Sequence, residues 1–331
     1  MPGPCGSGIT IGACLLPLLE TEATHVSAQL ILQQVANGIA KGSVYALIAV
    51  GYTMVYGVLQ LINFAHGEVY MLGAYFSYYP AKWFGYVPES GEKPKVPLYI
   101  IGALFVGSMA ACAAIGMLIE RLAYRPLRNS SRLAALITAI GVSLFLQNAG
   151  QMVFGADPKG FPVFMDQHSV SLGPIELANT KLVIIVVAAV MMTGLHLFVQ
   201  KTKPGAAMRA CSFDMRTARL MGVNVDRTVA MTFALGSAMA AVGGVLVAMD
   251  QPRLTPLMGL LMGLKAFIAA VLGGIGSIPG AALGGLLLGV AESVVGTWST
   301  TYAEAVAFIV LILVLLVKPS GLLGKSGREK V

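Results

Sequence analysis

The amino-acid sequence predicts an all-α, polytopic membrane protein with about eight or nine transmembrane helices. Two features of its composition support this class: 56% of the 331 residues are hydrophobic and only 11% are charged. A typical soluble domain has roughly 25% charged residues, so a water-soluble protein of this length would lack the side chains to cover its surface. The third observation is that the apolar residues come in runs of about 20, the length that crosses a bilayer as a helix.

The apolar runs define the predicted membrane spans in order along the chain. They are 30–56, 60–80, 97–119, 133–153, 182–200, 228–249, 258–275, 279–297 and 303–317. The runs 60–80 and 258–275 are broken by glycine and contain polar residues. For these two, a half-helix remains an alternative to a full crossing, and whether 258–297 crosses twice stays open.

Basic residues orient these spans. They concentrate at 121–132, at 201–227 and in the tail from Lys318 onward, each beside an apolar run. Because cytoplasmic loops are enriched in Lys and Arg, we expect all three stretches and the C-terminus on the cytoplasmic side. The even number of runs between successive clusters agrees. It places 156–181 in an extracytoplasmic loop, for which a docking role and a plain connection are both open.

Residues 1–28 do not follow the pattern of the rest of the chain. The segment 9–19 is apolar but short and is interrupted by Pro17, and no Lys or Arg precedes Lys41. A signal peptide would need a basic segment before its apolar part. We expect a disordered leader or a misassigned start codon, with translation beginning near Val26, followed by a transmembrane domain at 29–331.

Several classes of site have no sequence support. The four cysteines include no C-x-x-C pair, which argues against a disulfide scaffold and a metal or redox site. The glycine-rich run 273–280 lacks the G-x-x-x-x-G-K-[ST] pattern of a phosphate-binding loop, so a tight turn or helix break is favoured there. The four histidines are scattered. We expect no catalytic residue, no metal site and no cofactor bound by this chain.

Small residues recur at spacing four, which lets helices approach closely in lipid. The series are Gly236, Ala240 and Gly244; Gly259 and Gly263; Gly276, Gly280 and Gly284; and Gly285 and Gly289. This pattern predicts a tightly packed helical bundle.

Four ionisable residues lie inside the apolar runs: Lys41, Glu68, Lys265 and Glu292. Such residues cost roughly 2.5–3.5 kcal/mol at mid-helix on insertion scales, so they usually face the bundle interior and are paired. The positions favour structural ion pairs, such as Lys41 with Glu68 or Lys265 with Glu292. A proton or substrate relay is the alternative, and either lysine could instead extend to a membrane interface.

The segment 61–75 combines polar and small residues. On a helix, Asn63, His66 and Tyr70 share one face, whereas Glu68 points away from it. A polar face of this kind suits a bundle interior or a wet pathway. Asn63, His66 and Tyr70 are therefore candidates for lining a translocation path, with a hydrogen-bonded structural role for His66 as the alternative.

The motif Asn-Phe-Ala-His-Gly-Glu at 63–68, preceded by Gly-Tyr-Thr-Met-Val-Tyr-Gly at 51–57, resembles the membrane permeases of branched-chain amino-acid ABC importers. The segments 119–128 and 264–285 share this resemblance, which extends over about 29–327. It is strongest toward the first permease of leucine, isoleucine and valine importers. Urea and short-amide permeases look similar around 63–68, so they remain an alternative.

The resemblance implies an assembly in a bacterial inner membrane. The chain would pair with a second, homologous permease. Two cytoplasmic ATPase subunits would use ATP and Mg²⁺, and a periplasmic binding protein would deliver the substrate. Transport would follow an alternating-access mechanism, with selectivity mainly in the binding protein.

The resemblance also implies a cytoplasmic coupling helix in the loop 201–227, which would dock in a groove of the ATPase. The family's usual Glu-Ala-Ala opening is replaced by Arg209-Ala210-Cys211. The residues expected to couple to the ATPase are Arg209, Ala210, Asp214, Ala218 and Gly222.

Two other function classes remain as rivals. Glu68 and Glu292 are compatible with an ion-coupled secondary transporter or channel, which would need no ATPase partner. An intramembrane enzyme would need catalytic residues that meet at membrane depth, and the scattered histidines do not provide them.

Overall fold

The computed structural model describes residues 28–87, 96–128, 130–165, 168–173 and 175–324, and it is mostly α-helical. The predicted leader or misassigned start, apart from Ala28, lies outside the described residues. So do the basic residues of the tail beyond Gly324. The predictions for those segments stay predictions.

Eleven α-helices are present within the described ranges. They are α1 Ala28–Leu59, α2 His66–Trp83, α3 Leu98–Ile119, α4 Arg132–Phe154, α5 Asn179–Lys201, α6 Lys203–Phe213, α7 Met215–Leu220, α8 Val225–Asp250, α9 Met258–Gly273, α10 Ile278–Val295 and α11 Thr300–Val317. A short π-helix, Glu120–Tyr124, extends α3. Each predicted apolar run corresponds to one long helix, so the predicted all-α class is confirmed.

Six stretches of the described chain are long and apolar enough to cross a membrane, judged by length and composition: Gln29–Leu59, Leu98–Tyr124, Leu133–Phe154, Asn179–Lys201, Val225–Asp250 and Ile278–Val295. Two more helices, Met258–Gly273 and Thr301–Val317, are apolar but shorter. Helix α2 has 18 residues, which at 1.5 Å per residue gives about 27 Å, close to the thickness of a bilayer core.

Loop contacts divide the helix ends into two groups. At one end, which we call the sheet end, β1 Lys159–Gly160 pairs antiparallel with β4 Arg253–Leu254. The hairpin of β2 Ser169–Leu172 and β3 Ile175–Ala178 also lies at this end. The side chain of Gln33, near the start of α1, bonds both the backbone N–H (2.8 Å) and the backbone carbonyl (2.6 Å) of Glu176. The first helix therefore begins where the predicted extracytoplasmic loop lies.

The opposite end, which we call the basic end, gathers the loops that precede α4, α8 and α10. Arg125 contacts Asp226 there at 2.6 Å. The backbone N–H groups of Leu322 and Leu323 donate to the last carbonyls of α9, each at 2.9 Å. The helices thus alternate in direction as the sequence parity predicts, and α9 and α10 form an antiparallel hairpin.

Exposed aromatic side chains cluster at the sheet end. Both tryptophans of the chain, Trp83 and Trp298, are largely exposed there, together with Phe84, Tyr99 and Tyr302. Trp and Tyr concentrate where a membrane meets water. These side chains mark the level of one membrane interface.

The core is built around α1, which packs on α8, α9 and α10 and is almost entirely enclosed. Helices α3, α4 and α5 lie at the periphery and expose many of their apolar residues. In a membrane protein such faces meet lipid or another subunit, because the hydrophobic effect does not penalise them there.

Glycines bring the core helices into backbone contact, as the spacing-four series predict. A Cβ added at Gly289 would lie 2.3 Å from Gly42 of α1. Gly67 of α2 fits between Gly259 and Gly263 of α9, where a Cβ would lie 2.5 Å from the Gly259 carbonyl oxygen. No side chain fits at these crossings.

The glycine-rich run 273–280 forms the tight turn between α9 and α10. Gly274 (φ 104°) and Gly276 (φ 96°) adopt conformations that side chains rarely allow. The Ser277 hydroxyl then accepts from the backbone N–H of Gly280 (3.2 Å) and caps α10. The predicted turn is confirmed.

The predicted common helical face of Asn63, His66 and Tyr70 is partly wrong, because α2 begins only at His66. Asn63 lies in the preceding turn, where its side-chain oxygen accepts from the backbone N–H of Ala65 (3.1 Å). Local bonds of this kind compete with the helix and favour helix starts.

Candidate functional site

The carboxylate of Glu292 on α10 is the centre of a charged cluster. It is 2% exposed and receives three bonds. Lys265 Nζ on α9 lies 2.6 Å and Lys41 Nζ on α1 lies 3.0 Å from Oε1, while the Tyr45 hydroxyl donates to Oε2 at 2.7 Å. The predicted pair of Lys265 with Glu292 is confirmed, and two ammonium groups share one carboxylate oxygen.

The sequence places this cluster through helical spacing and glycine packing. Lys41 and Tyr45 are four residues apart on α1, so they lie one above the other on the same face. Gly285 and Gly289 let α10 approach α1 within backbone contact. Glu292 follows Gly289 by one turn and therefore meets that face.

The example pairing of Lys41 with Glu68 is wrong, because Lys41 bonds Glu292 instead. Glu292 lies three residues before the sheet end of α10, whereas Glu68 lies two residues after the basic-end start of α2. With a helical rise of 1.5 Å per residue, the two levels differ by about 20 Å.

A cavity of about 300 Å³ opens beside this cluster. Its charged and polar lining includes Lys41, Tyr45, Tyr70, Gln251, Arg253, Lys265, Glu292 and Glu304. Its apolar lining includes Val247, Leu254, Met258, Leu261 and Met262. Because Gln251 and Arg253 belong to the segment between α8 and α9, the cavity reaches the sheet end.

A smaller cavity of about 160 Å³ adjoins it and shares part of its lining, including Lys41 and Gln251. It adds Lys181 and Asp250. Together the two cavities form a charged vestibule with one apolar wall, open toward the sheet end. Such a space can hold a small molecule that is charged at one end and apolar at the other.

Glu68 is buried away from this vestibule and is 1% exposed. The Ser143 hydroxyl donates to its Oε1 at 3.4 Å. No ion pair joins Glu68 to another residue of the described ranges. Its other oxygen lies against Gly259, where a Cβ would come within 2.6 Å of it.

The three path candidates occupy different places. Tyr70 lines the vestibule. His66 packs edge-on against Tyr52, with ring centroids 4.6 Å apart, and touches the backbone of Gly51. Asn63 accepts a hydrogen bond from the Tyr124 hydroxyl at 2.8 Å. A role in lining the path stays a prediction for all three.

A second charged network links the loops at the basic end. Arg128 bonds Glu120 of the π-helix and, at 2.6 Å, Asp226 at the start of α8. Arg125 contacts the other oxygen of Asp226, also at 2.6 Å. Sequence reasoning missed these pairs, although two acidic residues beside basic clusters were a signal for them.

The predicted coupling loop is a helix, a break and a short helix. Helix α6 ends at Phe213, and Asp214 is extended (φ −157°) before α7. Asp214 caps α7 by accepting from the Thr217 hydroxyl (2.5 Å) and the backbone N–H of Arg216 (2.8 Å). Because these bonds favour the ionised carboxylate, first the one from Thr217, they lower the pKa of Asp214 below its usual value.

The other predicted coupling residues differ in exposure. Ala210 is exposed, and so is Gly222, which ends the loop with φ 85°. Arg209 donates to the backbone carbonyls of Val199 and Gln200 and so ties α6 to the end of α5. Ala218 is buried and therefore faces inward.

Three apolar side chains of this loop are highly exposed. Phe213, Leu220 and Met221 are 94%, 86% and 80% exposed, and we call them the apolar tip. Arg216 and Arg219 lie beside them on α7. This exposure had no sequence signal, because it cannot be read from a segment that mixes apolar and basic residues.

Comparison with known proteins identifies the family. The family model described as branched-chain amino acid transport system / permease component matches residues 34–315. The chain belongs to this family. The resemblance first seen at 63–68 is thereby confirmed, and the chain is a membrane permease component rather than a soluble protein.

The permease has relatives that match over nearly their whole length. It is 47% identical to the high-affinity branched-chain amino acid transport system permease protein LivH of Escherichia coli K12, over 91% of this chain and 97% of that protein. It is 46% identical to the corresponding protein BraD of Pseudomonas aeruginosa, over 91% and 98%. A probable branched-chain amino acid transport permease protein of Methanocaldococcus jannaschii is 29% identical over 88% and 92%.

Proposed function

We propose that this chain is the membrane permease subunit of an ABC importer that moves leucine, isoleucine and valine inward. The observation that supports this most is the 47% identity over 91% of the chain to a high-affinity branched-chain amino acid permease. At that similarity over almost the whole length, fold and transported class tend to be shared.

We expect the permease to work in a larger assembly. A second, homologous permease completes the membrane part, two cytoplasmic ATPase subunits hydrolyse ATP with Mg²⁺, and a periplasmic binding protein delivers the substrate. The sequence supports this division of labour, because it contains no G-x-x-x-x-G-K-[ST] nucleotide motif.

The assembly belongs in a bacterial inner membrane, with the basic end and the C-terminus in the cytoplasm. The clusters of Lys and Arg that the structure describes lie at one end of the bundle, which is the pattern of cytoplasmic loops. The strands β1 to β4 then face the periplasm, where a binding protein docks.

The loop 201–227 is the expected contact with an ATPase. Its apolar tip exposes three large apolar side chains to solvent. Such exposed apolar patches often mark protein–protein interaction sites, so the tip suits a groove on a partner. Arg216 and Arg219 can bond acidic side chains around such a groove. Because Arg209 of α6 bonds the end of α5, a movement of the apolar tip would also move α5, which is a candidate membrane span.

Alternating access then requires the two ends of the bundle to open in turn. The vestibule is open at the sheet end, whereas the pairs of Asp226 with Arg125 and Arg128 hold the basic end together. ATP-driven movement of α6 and α7, next to α8, would release those pairs and open the path inward.

Gene deletion tests the proposal in the source cells. Uptake of leucine at low concentration should be lost without the gene. In cells that retain it, uptake should be inhibited by isoleucine and valine but not by urea or acetamide. Unchanged leucine uptake in the deletion strain would contradict the proposal. A loss of urea or amide uptake alone would favour the alternative substrate class.

A further inference from the structure

We infer that the vestibule beside Glu292 is a transient binding site for an amino-acid zwitterion, in which Lys41 binds the carboxylate and the apolar wall receives an aliphatic side chain. This inference deepens the proposed function and rests on it.

The free donors of Lys41 support an anionic ligand. Lys41 and Lys265 share one oxygen of Glu292, and Tyr45 occupies the other. An ammonium group has three donors, and within the described residues Lys41 forms an ion pair with Glu292 only. Asp250 and Glu304 add negative charge to the lining but form no ion pair with Lys41. Lys41 can therefore also bind a ligand carboxylate.

The two lysines are not equivalent. The side chain of Lys265 is 12% exposed, whereas that of Lys41 is 37% exposed and lines both parts of the vestibule. If Lys41 turns toward a ligand, Glu292 keeps Lys265 and Tyr45 as partners. Lys41 can therefore exchange one carboxylate for another without leaving Glu292 unpaired, whereas Lys265 is more deeply buried and less accessible to a ligand.

An anionic partner for the ligand's ammonium group is also present. Glu304 of α11 lines the same cavity and is exposed. Within the described residues it forms no ion pair. A zwitterion between Lys41 and Glu304 would thus meet a positive charge at its carboxylate and a negative charge at its ammonium group.

The apolar part of the lining suits a branched aliphatic side chain. It consists of Leu254, Leu261, Val247 and two methionines, Met258 and Met262. Methionine adapts to ligands of different shape, so such a wall accepts leucine, isoleucine and valine alike. At about 300 Å³ the cavity is at the small end of ligand sites, which fits a single amino acid.

Transport by the reconstituted assembly tests the inference. Lys41→Met should lower the maximal rate of leucine transport at least tenfold, while leaving binding-protein-stimulated ATP hydrolysis and thermal stability near wild type. Lys41→Arg should restore most of the transport. Lys265→Met is the structural control and should lower thermal stability, because Glu292 then loses its shorter and more buried ion pair.

A labelling experiment provides a second measurement in the full assembly without binding protein. Gln251→Cys, in a Cys5→Ser and Cys14→Ser background, places a thiol in the lining of the vestibule. Millimolar leucine should slow its reaction with a thiol reagent severalfold, and leucine amide, which lacks the carboxylate, should not. Adding Lys41→Met should remove the protection.

The outcomes separate the inference from the proposed function. If the wild-type assembly does not transport leucine, the proposed function fails. If it transports leucine but Lys41→Met transports normally, or leucine and leucine amide protect equally, only the inference is overturned. A loss of thermal stability in Lys41→Met as large as in Lys265→Met would also overturn it, because Lys41 would then be a structural partner of Glu292.

Discussion

At the scale of single residues, Glu292 joins the helices of the permease near the sheet end. Its carboxylate joins α1, α9 and α10 through Lys41, Tyr45 and Lys265. Buried charges persist in proteins when they are paired and hydrogen-bonded, and they become costly when one partner is removed. Without Glu292, both Lys41 and Lys265 would lose their shared partner beside the vestibule.

Replacing Glu292 with leucine should destabilise the permease by about 3–5 kcal/mol, because two ammonium groups lose their shared partner. Unfolding of the purified protein in detergent, followed by circular dichroism, measures the effect. Glu304→Leu is the matched control, since Glu304 is an exposed acidic residue on a neighbouring helix. Equal stability of the two variants would show that the cluster does not hold the helices together.

Residue-level prediction from sequence was correct for one pair and wrong for another. Opposite charges in neighbouring spans identified Lys265 with Glu292. The pairing of Lys41 with Glu68 ignored depth, although their positions within their spans already placed them at different levels. Side-chain hydrogen bonds such as that from Tyr124 to Asn63 had no sequence signal, because hydroxyl and amide groups pair in many ways.

At the scale of helices, glycine decides which elements meet. Gly42 and Gly289 place α1 and α10 in backbone contact, and Gly67 does the same for α2 and α9. Close approach strengthens van der Waals contact, which replaces the hydrophobic effect as the attraction between helices in lipid.

A side chain at Gly289 should separate α1 from α10. Gly289→Val places its Cβ 2.3 Å from Gly42, so we expect a large loss of folded protein. Gly102→Val on α3 is the control, because nothing lies within 4 Å of a Cβ there. Both variants replace a helical glycine with valine, so the change in helix propensity is the same. A difference between them in size-exclusion profile or melting temperature therefore reports packing. A normal profile for Gly289→Val would contradict the assigned crossing.

The order and ends of the helices were largely predictable, because every membrane-spanning segment must satisfy its own backbone and so becomes a helix. Which helices pack against each other was not predictable, because glycine spacing indicates a contact face but not the helix that packs on it. The start of α2 differed because Asn63 forms a local turn. The break at Asp214 was likewise missed within a segment that resembles a single coupling helix.

At the scale of the whole molecule, each end of the bundle has its own chemistry. The sheet end bears the strands, the exposed tryptophans and the open vestibule, and the basic end bears the arginine network and the apolar tip. The sequence predicted this polarity from its basic clusters. It could not predict the vestibule, because its lining combines side chains of helices that are distant in the sequence.

The apolar tip should determine how tightly the ATPase binds. Phe213→Ala with Leu220→Ala should reduce the amount of ATPase that copurifies with the permease severalfold, because the groove loses its apolar contacts. Phe84→Ala is the control, as Phe84 is also an exposed aromatic residue but lies at the sheet end. If both variants retain the ATPase equally, the loop 201–227 is not the docking element.

With its partners, this permease is proposed to move branched-chain amino acids inward, driven by ATP hydrolysis. The most direct measurement is uptake of labelled leucine by proteoliposomes that contain the complete assembly, with binding protein on the substrate side and ATP on the other. We predict uptake that requires ATP and binding protein and that isoleucine and valine inhibit. Uptake that proceeds without ATP and follows an imposed ion gradient would contradict ATP-driven import and would indicate an ion-coupled secondary transporter.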